Sequence, residues 1–210
     1  MLIHGIKKAW VGLKKADGTL DTGETGLSKT GIYELDQKVL GVASAELKGL
    51  DGSKLEKISG NNTVQYSYAD PLNPQATITI NNLPMDILAK LVGMEKQGAG
   101  WQMADNKPTG LFVVQAPSMT TNDSVYFAFP SGNFLMGDKK LDTDTDSKKT
   151  PVTDQLTFAA IEDSHIHDLY RIYTTADTGE NGWKGEDAMF TELFPDYKAA
   201  TTVVPGGSHS

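Results

Sequence analysis

Residues 64–80 decide the fold class and have the sequence Val-Gln-Tyr-Ser-Tyr-Ala-Asp-Pro-Leu-Asn-Pro-Gln-Ala-Thr-Ile-Thr-Ile. Apolar and polar side chains alternate in residues 64–68 and again in residues 76–80. Alternation with a period of two indicates a strand that buries one face, because successive side chains of a strand point to opposite sides. Two prolines, Pro71 and Pro74, separate the runs and indicate a turn or a loop. The stretch therefore predicts two β-strands joined by a connection.

Short runs of the same kind recur along the chain, with turn signals such as Asp17-Gly18 between them. The candidate strands, about nine in all, are residues 6–13, 39–47, 64–68, 76–80, 111–116, 125–129, 134–136, 156–161 and 169–174. Several short strands separated by turns indicate a β-sandwich or a β-barrel.

One clear helix is predicted at about residues 84–93. Pro84 stands where a first helical residue belongs, and Gly93 is placed to end the helix. Apolar side chains between them have helical spacing and form one stripe: Leu88, Leu91 and Val92. A second, shorter helix is predicted at residues 187–194. The fold class is therefore mainly β with one or two helices.

Composition limits the classes of function. The chain has 210 residues, no cysteine and a formal net charge of −8 at pH 7. We expect one domain over residues 1–200, followed by a flexible tail or a cloning remnant at residues 201–210. The lack of cysteine excludes disulfides and thiolate metal sites. The negative charge argues against a protein that grips nucleic-acid phosphates, and no apolar run approaches the roughly 18 residues of a membrane span.

Two long segments, residues 14–37 and 137–154, lack apolar periodicity and are predicted to be loops outside the core. Loops of that length are uncommon in compact domains and tend to have a function or to be disordered. We expect residues 137–154 to contact an adjacent subunit through charged side chains of both signs. The candidate contact residues are Lys139, Lys140, Asp142, Asp144, Asp146, Lys148 and Lys149.

The acidic part of the second loop resembles the start of a calcium-binding loop. Asp142, Asp144 and Asp146 take its first, third and fifth positions. The sixth position, normally Gly, is Ser147, and the twelfth, normally Glu, is Thr153. A solvated acidic loop is the favoured interpretation, and no metal is predicted.

Polar residues also cluster at residues 163–168, where Asp163, Ser164 and His165 suggest a hydrolase. His165 and His167 would share one face of a strand and could bind a metal, but a complete site needs further ligands. The Gly-x-Ser-x-Gly sequence of α/β-hydrolases and the phosphate-binding glycine motifs are absent. The favoured interpretation is a polar bend between two strands. No catalytic residue and no cofactor are predicted.

The order of the elements resembles a known protein family. A strand at residues 5–12 precedes Tyr68-Ala69-Asp70, and a Leu83-Pro84 helix closes on Leu91-Val92-Gly93. A sharp turn at residues 106–110 then leads into a strand, and residues 155–160 follow the polar loop. Over residues 5–195 this arrangement resembles the major tail (tail tube) protein family of long, non-contractile-tailed bacteriophages of Gram-positive hosts.

The resemblance implies a structural virion protein without catalytic residues. It implies a β-sandwich or barrel flanked by one helix, with long loops that contact other subunits. Subunits of this family form hexameric rings that stack into a tube around a tape-measure protein, between tail terminator and distal tail proteins. During ejection, DNA passes through the lumen without specific binding, and no membrane contact is implied. The expected location is the virion tail, and the host cytoplasm during assembly.

In such a tube, the alternation in residues 64–80 predicts which side chains line the lumen. The apolar face of each strand is expected to pack against the core of its own subunit. The other face is expected to line the lumen with small, uncharged polar side chains: Gln65, Ser67, Thr77 and Thr79. A surface without basic side chains has little affinity for phosphates.

Other classes stay open at this point. The chain also fits the tube of a phage-derived bacteriocin or of a contractile injection machine. It fits a monomeric β-sandwich binding module assisted by calcium at Asp142, Asp144 and Asp146. A hydrolase that uses Ser164 and His165 is the least favoured.

Overall fold

The computed structural model describes residues 2–51, 55–69, 71–141, 143 and 151–199. Within these residues the chain forms twelve β-strands and two α-helices. The strands are β1 (Lys8–Lys14), β2 (Ile32–Glu34), β3 (Val42–Lys48), β4 (Leu55–Gly60), β5 (Thr63–Ala69), β6 (Gln75–Ile80), β7 (Met94–Gln97), β8 (Gly100–Met103), β9 (Thr109–Pro117), β10 (Ser124–Met136), β11 (Asp154–Ala160) and β12 (Arg171–Thr174). The helices are α1 (Met85–Val92) and α2 (Glu186–Leu193), and neither is long and apolar enough to span a membrane.

Eight strands form one antiparallel sheet. Its order is β2-β1-β9-β10-β11-β6-β3, and β12 pairs with β10. The register of β10 shifts between Phe129 and Gly132, and such a bulge bends a strand. We call β1, β2, β9, β12 and residues 124–129 of β10 the covered half. The open half consists of β3, β6, β11 and residues 132–136 of β10.

Within the covered half, β1 and β9 are buried on both faces, and residues 110–116 of β9 are buried without a break. One face packs against the open half and α1 around a cluster of phenylalanines: Phe112, Phe129, Phe134 and Phe158. The other face lies beneath α2 and the residue after it, which contribute Met189, Phe190, Leu193 and Phe194. The bent sheet and its helices thus form a sandwich whose middle layer is the covered half.

Helix α1 has clear start and stop signals. Pro84 precedes it, and Gly93, with a φ of 74°, donates its N–H to the carbonyl of Ala89. This left-handed conformation is accessible to glycine and ends the helix. Lys107 Nζ donates to the carbonyl of Val92 at 2.7 Å, which satisfies another terminal acceptor. The helix is therefore confirmed where the sequence predicts it.

The mainly β fold is confirmed, but the prediction that residues 14–37 lie outside the core is wrong. Leu20, Leu27 and Ile32 are buried, and Ile32 belongs to β2. Lys90 of α1 donates to the carbonyls of residues 24 and 26 and ties the segment to the helix. The buried residues of this segment are spaced irregularly, so a search for periodicity misses them.

The β7–β8 hairpin is likewise outside the predicted strands.

Candidate functional site

The open half has one core face and one solvent-facing polar face. In β6, Ala76, Ile78 and Ile80 are buried, whereas the alternate side chains are half-buried. The strand register aligns these alternate side chains with those of the neighbouring strands, and the rows are Leu135-Thr157-Thr77-Glu46, Gln155-Thr79-Ser44 and Asn133-Ala159-Gln75-Lys48. The two charged members pair with each other, with 3.2 Å between Lys48 Nζ and Glu46 Oε2. We call this surface the polar face; it carries no net charge.

Both edges of the open half can accept another strand. β3 ends the sheet and pairs only with β6 among the described strands. Residues 133–136 of β10 pair with β11 alone in the described sheet, because the pairing with β9 stops at Gly132. Such edges present backbone donors and acceptors to an incoming strand. Since all neighbouring strands are antiparallel, β3 and β10 run in opposite directions.

Strands β4 and β5 form a separate hairpin that places Gln65 and Ser67 away from the main sheet. Gln65 and Ser67 lie on one side of β5, and Ile58, Val64 and Tyr66 lie on the other. The exposed fractions of Ile58, Val64 and Tyr66 are 56%, 56% and 60%. The expectation that the apolar side of β5 packs against its own core is therefore wrong. Alternation correctly indicates a two-sided strand at β5, but it predicts neither its partner β4 nor what covers the apolar side.

The connections that contain the hairpin and the loop at residues 137–154 leave the open half at opposite ends. Residues 49–74 connect β3 to β6 and leave the sheet at the pair Lys48 and Gln75. We call this the hairpin end. Residues 137–153 connect β10 to β11 and leave at the other end, where Val42 and Asp154 flank Ile80. This loop end lies about 20 Å away, since a strand rises roughly 3.3 Å per residue.

The start of the loop is fixed to its own subunit. Lys139 Nζ lies 2.6 Å from Asp154 Oδ1, and Asp154 Oδ2 accepts the N–H of Leu83 at 3.0 Å. A groove of about 260 Å³ separates the two stems of the loop and reaches Thr79 of the polar face. Lys140 also lines this groove. The other predicted contact residues, Asp142, Asp144, Asp146, Lys148 and Lys149, lie outside the described residues.

Comparison with known proteins establishes the class. Residues 1–202 match the phage tail tube protein family. The chain belongs to this family. A comparison with curated proteins found no match. Tail tube proteins are structural, so the prediction that the chain is not an enzyme is confirmed. A tail tube protein is a component of the virion tail and self-associates into a tube with other tail proteins.

The tail tube protein contains a buried ion pair between Lys14 and Asp163, whose side chains are 3% and 0% exposed. Lys14 Nζ contacts Asp163 Oδ2 and donates to Ser131 Oγ at 2.9 Å, and Ser131 Oγ donates to Asp163 Oδ2 at 2.6 Å. Asp163 Oδ1 accepts the backbone N–H groups of His165 and Ile166 at 2.8 and 3.1 Å. The cluster ties β1, the bulge of β10 and the segment after β11 together.

Two opposing effects set the pKa of Asp163. Burial raises this pKa, whereas hydrogen bonds from Lys14, Ser131 and two backbone N–H groups lower it, and the result is a pKa of about 2. The carboxylate is therefore charged at neutral pH, where it balances the buried ammonium group. Since these groups bind one another inside the protein, the cluster serves the fold.

The least favoured alternative, a hydrolase arrangement of Asp163, Ser164 and His165, is not formed. Asp163 accepts the backbone N–H of His165, and Ser164 is exposed. His165 and His167 lie in a turn, and the φ of His167 is 53°, so the interpretation as a strand is wrong and the polar bend is confirmed. In the part of the chain that the structure describes, no group of three His, Asp or Glu side chains could hold a metal ion.

Proposed function

We propose that this tail tube protein forms hexameric rings that stack into the tube through which phage DNA is ejected. The observation that carries the proposal is the open half, whose polar face lies between two edges that can accept strands. The lumen would hold a tape-measure protein before ejection, and the tube would end at tail terminator and distal tail proteins. Rings would form in the host cytoplasm.

Rings close when β3 of one copy pairs with residues 133–136 of β10 in the next copy. The opposite directions of these two segments support this pairing, because copies related by rotation then continue the antiparallel order. A contact between two different surfaces of the same chain produces a closed ring when the rotation closes. The number six follows from the family resemblance.

In this ring the polar face points into the lumen, and α2 lies on the outside. Thr77 and Thr79 line the lumen with the uncharged residues of their rows. Gln65 and Ser67 continue this lining beyond the hairpin end, on the polar side of β5. Since phosphate binding requires clustered lysine and arginine side chains, a surface of no net charge lets DNA pass without being held.

The loop at residues 137–154 acts as a stacking arm. It leaves from the loop end and so points along the tube toward an adjacent ring. Lys139 is bound to Asp154 of its own subunit and anchors the arm. Lys140, Asp142, Asp144, Asp146, Lys148 and Lys149 remain as the contact residues. Charge pairs of this kind fix the relative position of two subunits and select the correct partner. They weaken as the salt concentration rises, because salt screens the charges.

Two adjacent proline substitutions in β3, Ala45→Pro and Glu46→Pro, test the ring. In an edge strand, successive backbone N–H groups point alternately toward the neighbouring strand and toward solvent. Proline has no N–H group, so one substitution removes a hydrogen bond to β6 and the other removes a donor that points away from the sheet. We expect one variant to lose subunit stability. The other should keep it but form no rings in negative-stain microscopy, where the unchanged chain gives six-fold rings and tubes. Normal rings from both variants, or no rings from the unchanged chain, would contradict the proposal.

Replacement of residues 141–149 by a Gly-Ser linker of equal length tests the arm, because Lys139 and its anchor at Asp154 are kept. We expect folded rings that no longer elongate into tubes, measured by microscopy and sedimentation. The matched control is the same replacement at residues 119–122, a loop that joins β9 to β10. Tubes of normal length from the first variant would show that residues 141–149 do not stack the rings.

A further inference from the structure

A pocket of about 510 Å³ lies where β12, α2 and the segment that joins them meet. Its volume is in the range of small-molecule sites, roughly 300–1,000 Å³. We call it the α2 pocket. The proposed ring, stacking arm and lumen leave it unused, because α2 lies on the outside of the tube. The lining includes two aromatic residues, three planar polar residues and one small residue of the helix: Tyr173 and Trp183; Asp177, Asn181 and Glu192; and Ala188.

The segment between β12 and α2 has a defined shape that holds Trp183 in the pocket wall. Asp177 Oδ1 accepts the N–H of Gly179 at 3.1 Å, and the Asp177 carbonyl accepts the N–H of Trp183 at 2.6 Å. A Cβ atom at Gly182 would lie 2.4 Å from the same carbonyl oxygen, so only glycine fits there. The indole of Trp183 stacks on the ring of Tyr126, with 4.6 Å between ring centroids. Since Trp183 also lines the pocket, this stacking fixes an aromatic surface that a ligand can contact.

The charges around the α2 pocket balance. Asp177 and Glu192 contribute two carboxylates to the lining, and Lys184 contributes one ammonium group. Arg171 Nη1 donates to Glu192 Oε1 at 2.7 Å and supplies a second positive charge. A pocket without net charge does not select ions by complementary charge. Its carboxylate and amide groups instead offer several hydrogen-bond acceptors and donors, which favour a neutral polar ligand.

The hydroxyl of Tyr173 is the second feature that points to a ligand. It is buried and has no hydrogen-bond partner among the residues that the structure describes. Burial, followed by the charge of Glu192, raises the pKa of Tyr173 to about 12, so the hydroxyl is protonated at neutral pH and can donate. A buried hydroxyl without a partner is unfavourable. Because Tyr173 lines the pocket, a ligand oxygen can supply the missing partner.

We infer that the α2 pocket binds a neutral pyranose ring of a cell-surface carbohydrate, of the glucose type with equatorial hydroxyls. Such a ring carries its hydroxyls around the rim and C–H groups on its faces. The C–H groups are weakly positive and pack against the negative face of an aromatic ring such as Trp183. The hydroxyls at the rim both donate and accept, as the side chains of Asp177, Asn181 and Glu192 require.

In a tube, one pocket in every subunit would repeat the same weak site many times along the outer wall. Linked weak sites bind a repetitive polymer far more tightly than one site does. The tail would then hold the virion reversibly on a carbohydrate-coated cell. This consequence rests on the proposed tube, whereas binding of a pyranose by the single subunit does not depend on it.

Titration of the folded subunit tests the site. The chain has three tryptophans, so a proton–nitrogen NMR spectrum shows three indole signals, and Trp183→Phe identifies the one from Trp183. We expect glucose oligomers, either cellotetraose or maltotetraose, to shift this signal saturably with a Kd of about 1 mM. Sorbitol has the hydroxyls but no ring face and should not shift it. A shift with choline but with neither oligomer would overturn the assignment to a carbohydrate, and no shift with any probe would overturn the site.

Two variants locate the binding in the α2 pocket. Asn181→Ala removes one polar side chain and should weaken binding about five-fold. Ala188→Phe fills the pocket from an exposed position of α2 and should abolish binding. Neither should change the Tm of the subunit, and the matched Asn122→Ala variant, in the exposed loop before β10, should bind normally. Normal binding by Ala188→Phe would overturn the pocket as the site.

The outcomes for the tube and for the pocket are separate. Normal tubes from a chain that fails the titration would overturn the carbohydrate site and leave the proposed tube intact. Saturable binding by a chain that forms no tubes would overturn the tube and leave the site. Tubes of the unchanged chain should also be retained on glucan-coated beads, and tubes of Ala188→Phe should not.

Discussion

The covered half and the open half of the same sheet have opposite burial patterns. Residues 110–116 of β9 are buried in succession, whereas β6 alternates between buried and half-buried side chains. A strand covered on both faces needs apolar residues throughout, and a strand covered on one face needs them at every second position. The comparison shows that the spacing of apolar residues along a strand indicates how many of its two faces are buried within the subunit. The alternating half leaves one face half-buried among the described residues, and this is the face that the proposed tube uses.

One substitution in each half should give the largest difference in the free energy of unfolding. Phe112 is fully buried, and the centroid of its ring lies 6.0 Å from that of Phe129 and 6.2 Å from that of Phe158. We expect Phe112→Ala to lower the free energy of unfolding by about 3–5 kcal/mol, because it leaves a cavity. Thr77→Ala on the polar face should lower it by less than about 1 kcal/mol. Urea unfolding of the subunit measures both, and equal losses would remove the distinction between the halves.

The covered half also contributes Lys14 to the buried ion pair with Asp163, which sharpens the comparison. Asp163→Asn leaves the ammonium group of Lys14 without its counter-charge, so we expect a loss of about 3–4 kcal/mol. Replacing both partners, as in Lys14→Met/Asp163→Leu, should recover most of this loss, since no charge is then buried. If the double variant is no more stable than Asp163→Asn, the cluster stabilises the fold by shape rather than by charge balance.

A smaller effect follows from the pKa of Asp163. This pKa is about 2 in the folded chain and about 3.8 for an unperturbed side chain, so the folded state binds the proton less well. The contribution of the Asp163 carboxylate to the free energy of unfolding is present above about pH 4 and is lost as the pH falls toward 2. At about 1.4 kcal/mol per pKa unit, the loss is about 2 kcal/mol. Unfolding at pH 5 and pH 2 measures it, and Asp163→Asn should lack this component.

Much of the fold could be predicted from local sequence. Alternation identified β6, a continuous apolar run identified β9, and the Pro84 and Gly93 signals placed α1. These features are encoded within a few residues. The hairpin β7–β8 was missed because its residues are largely exposed and carry no apolar pattern.

The candidate site was less accessible to sequence reasoning. Thr77 and Thr79 were placed on an exposed sheet face from alternation alone, but Gln65 and Ser67 belong to a separate hairpin that no local pattern distinguishes. The partner of Lys14 lies 149 positions away, so the ion pair depends on tertiary structure. One signal was available, namely a lysine that directly follows the apolar run Ala9–Leu13. The free edges likewise appear only when the strand order is known.

The distance along the chain between Lys14 and Asp163 has a consequence for synthesis. A ribosome adds about 5–20 residues per second, so the 149 positions between them take roughly 7–30 s. During that interval β1 and β9 can pair, but the lysine at the end of β1 has no carboxylate to receive it. The covered half therefore matures last, after the edge of β3 has already been made. A nascent chain that exposes the edge of β3 before its core is complete is prone to associate with other chains. This favours binding by chaperones until the C-terminal third has been translated.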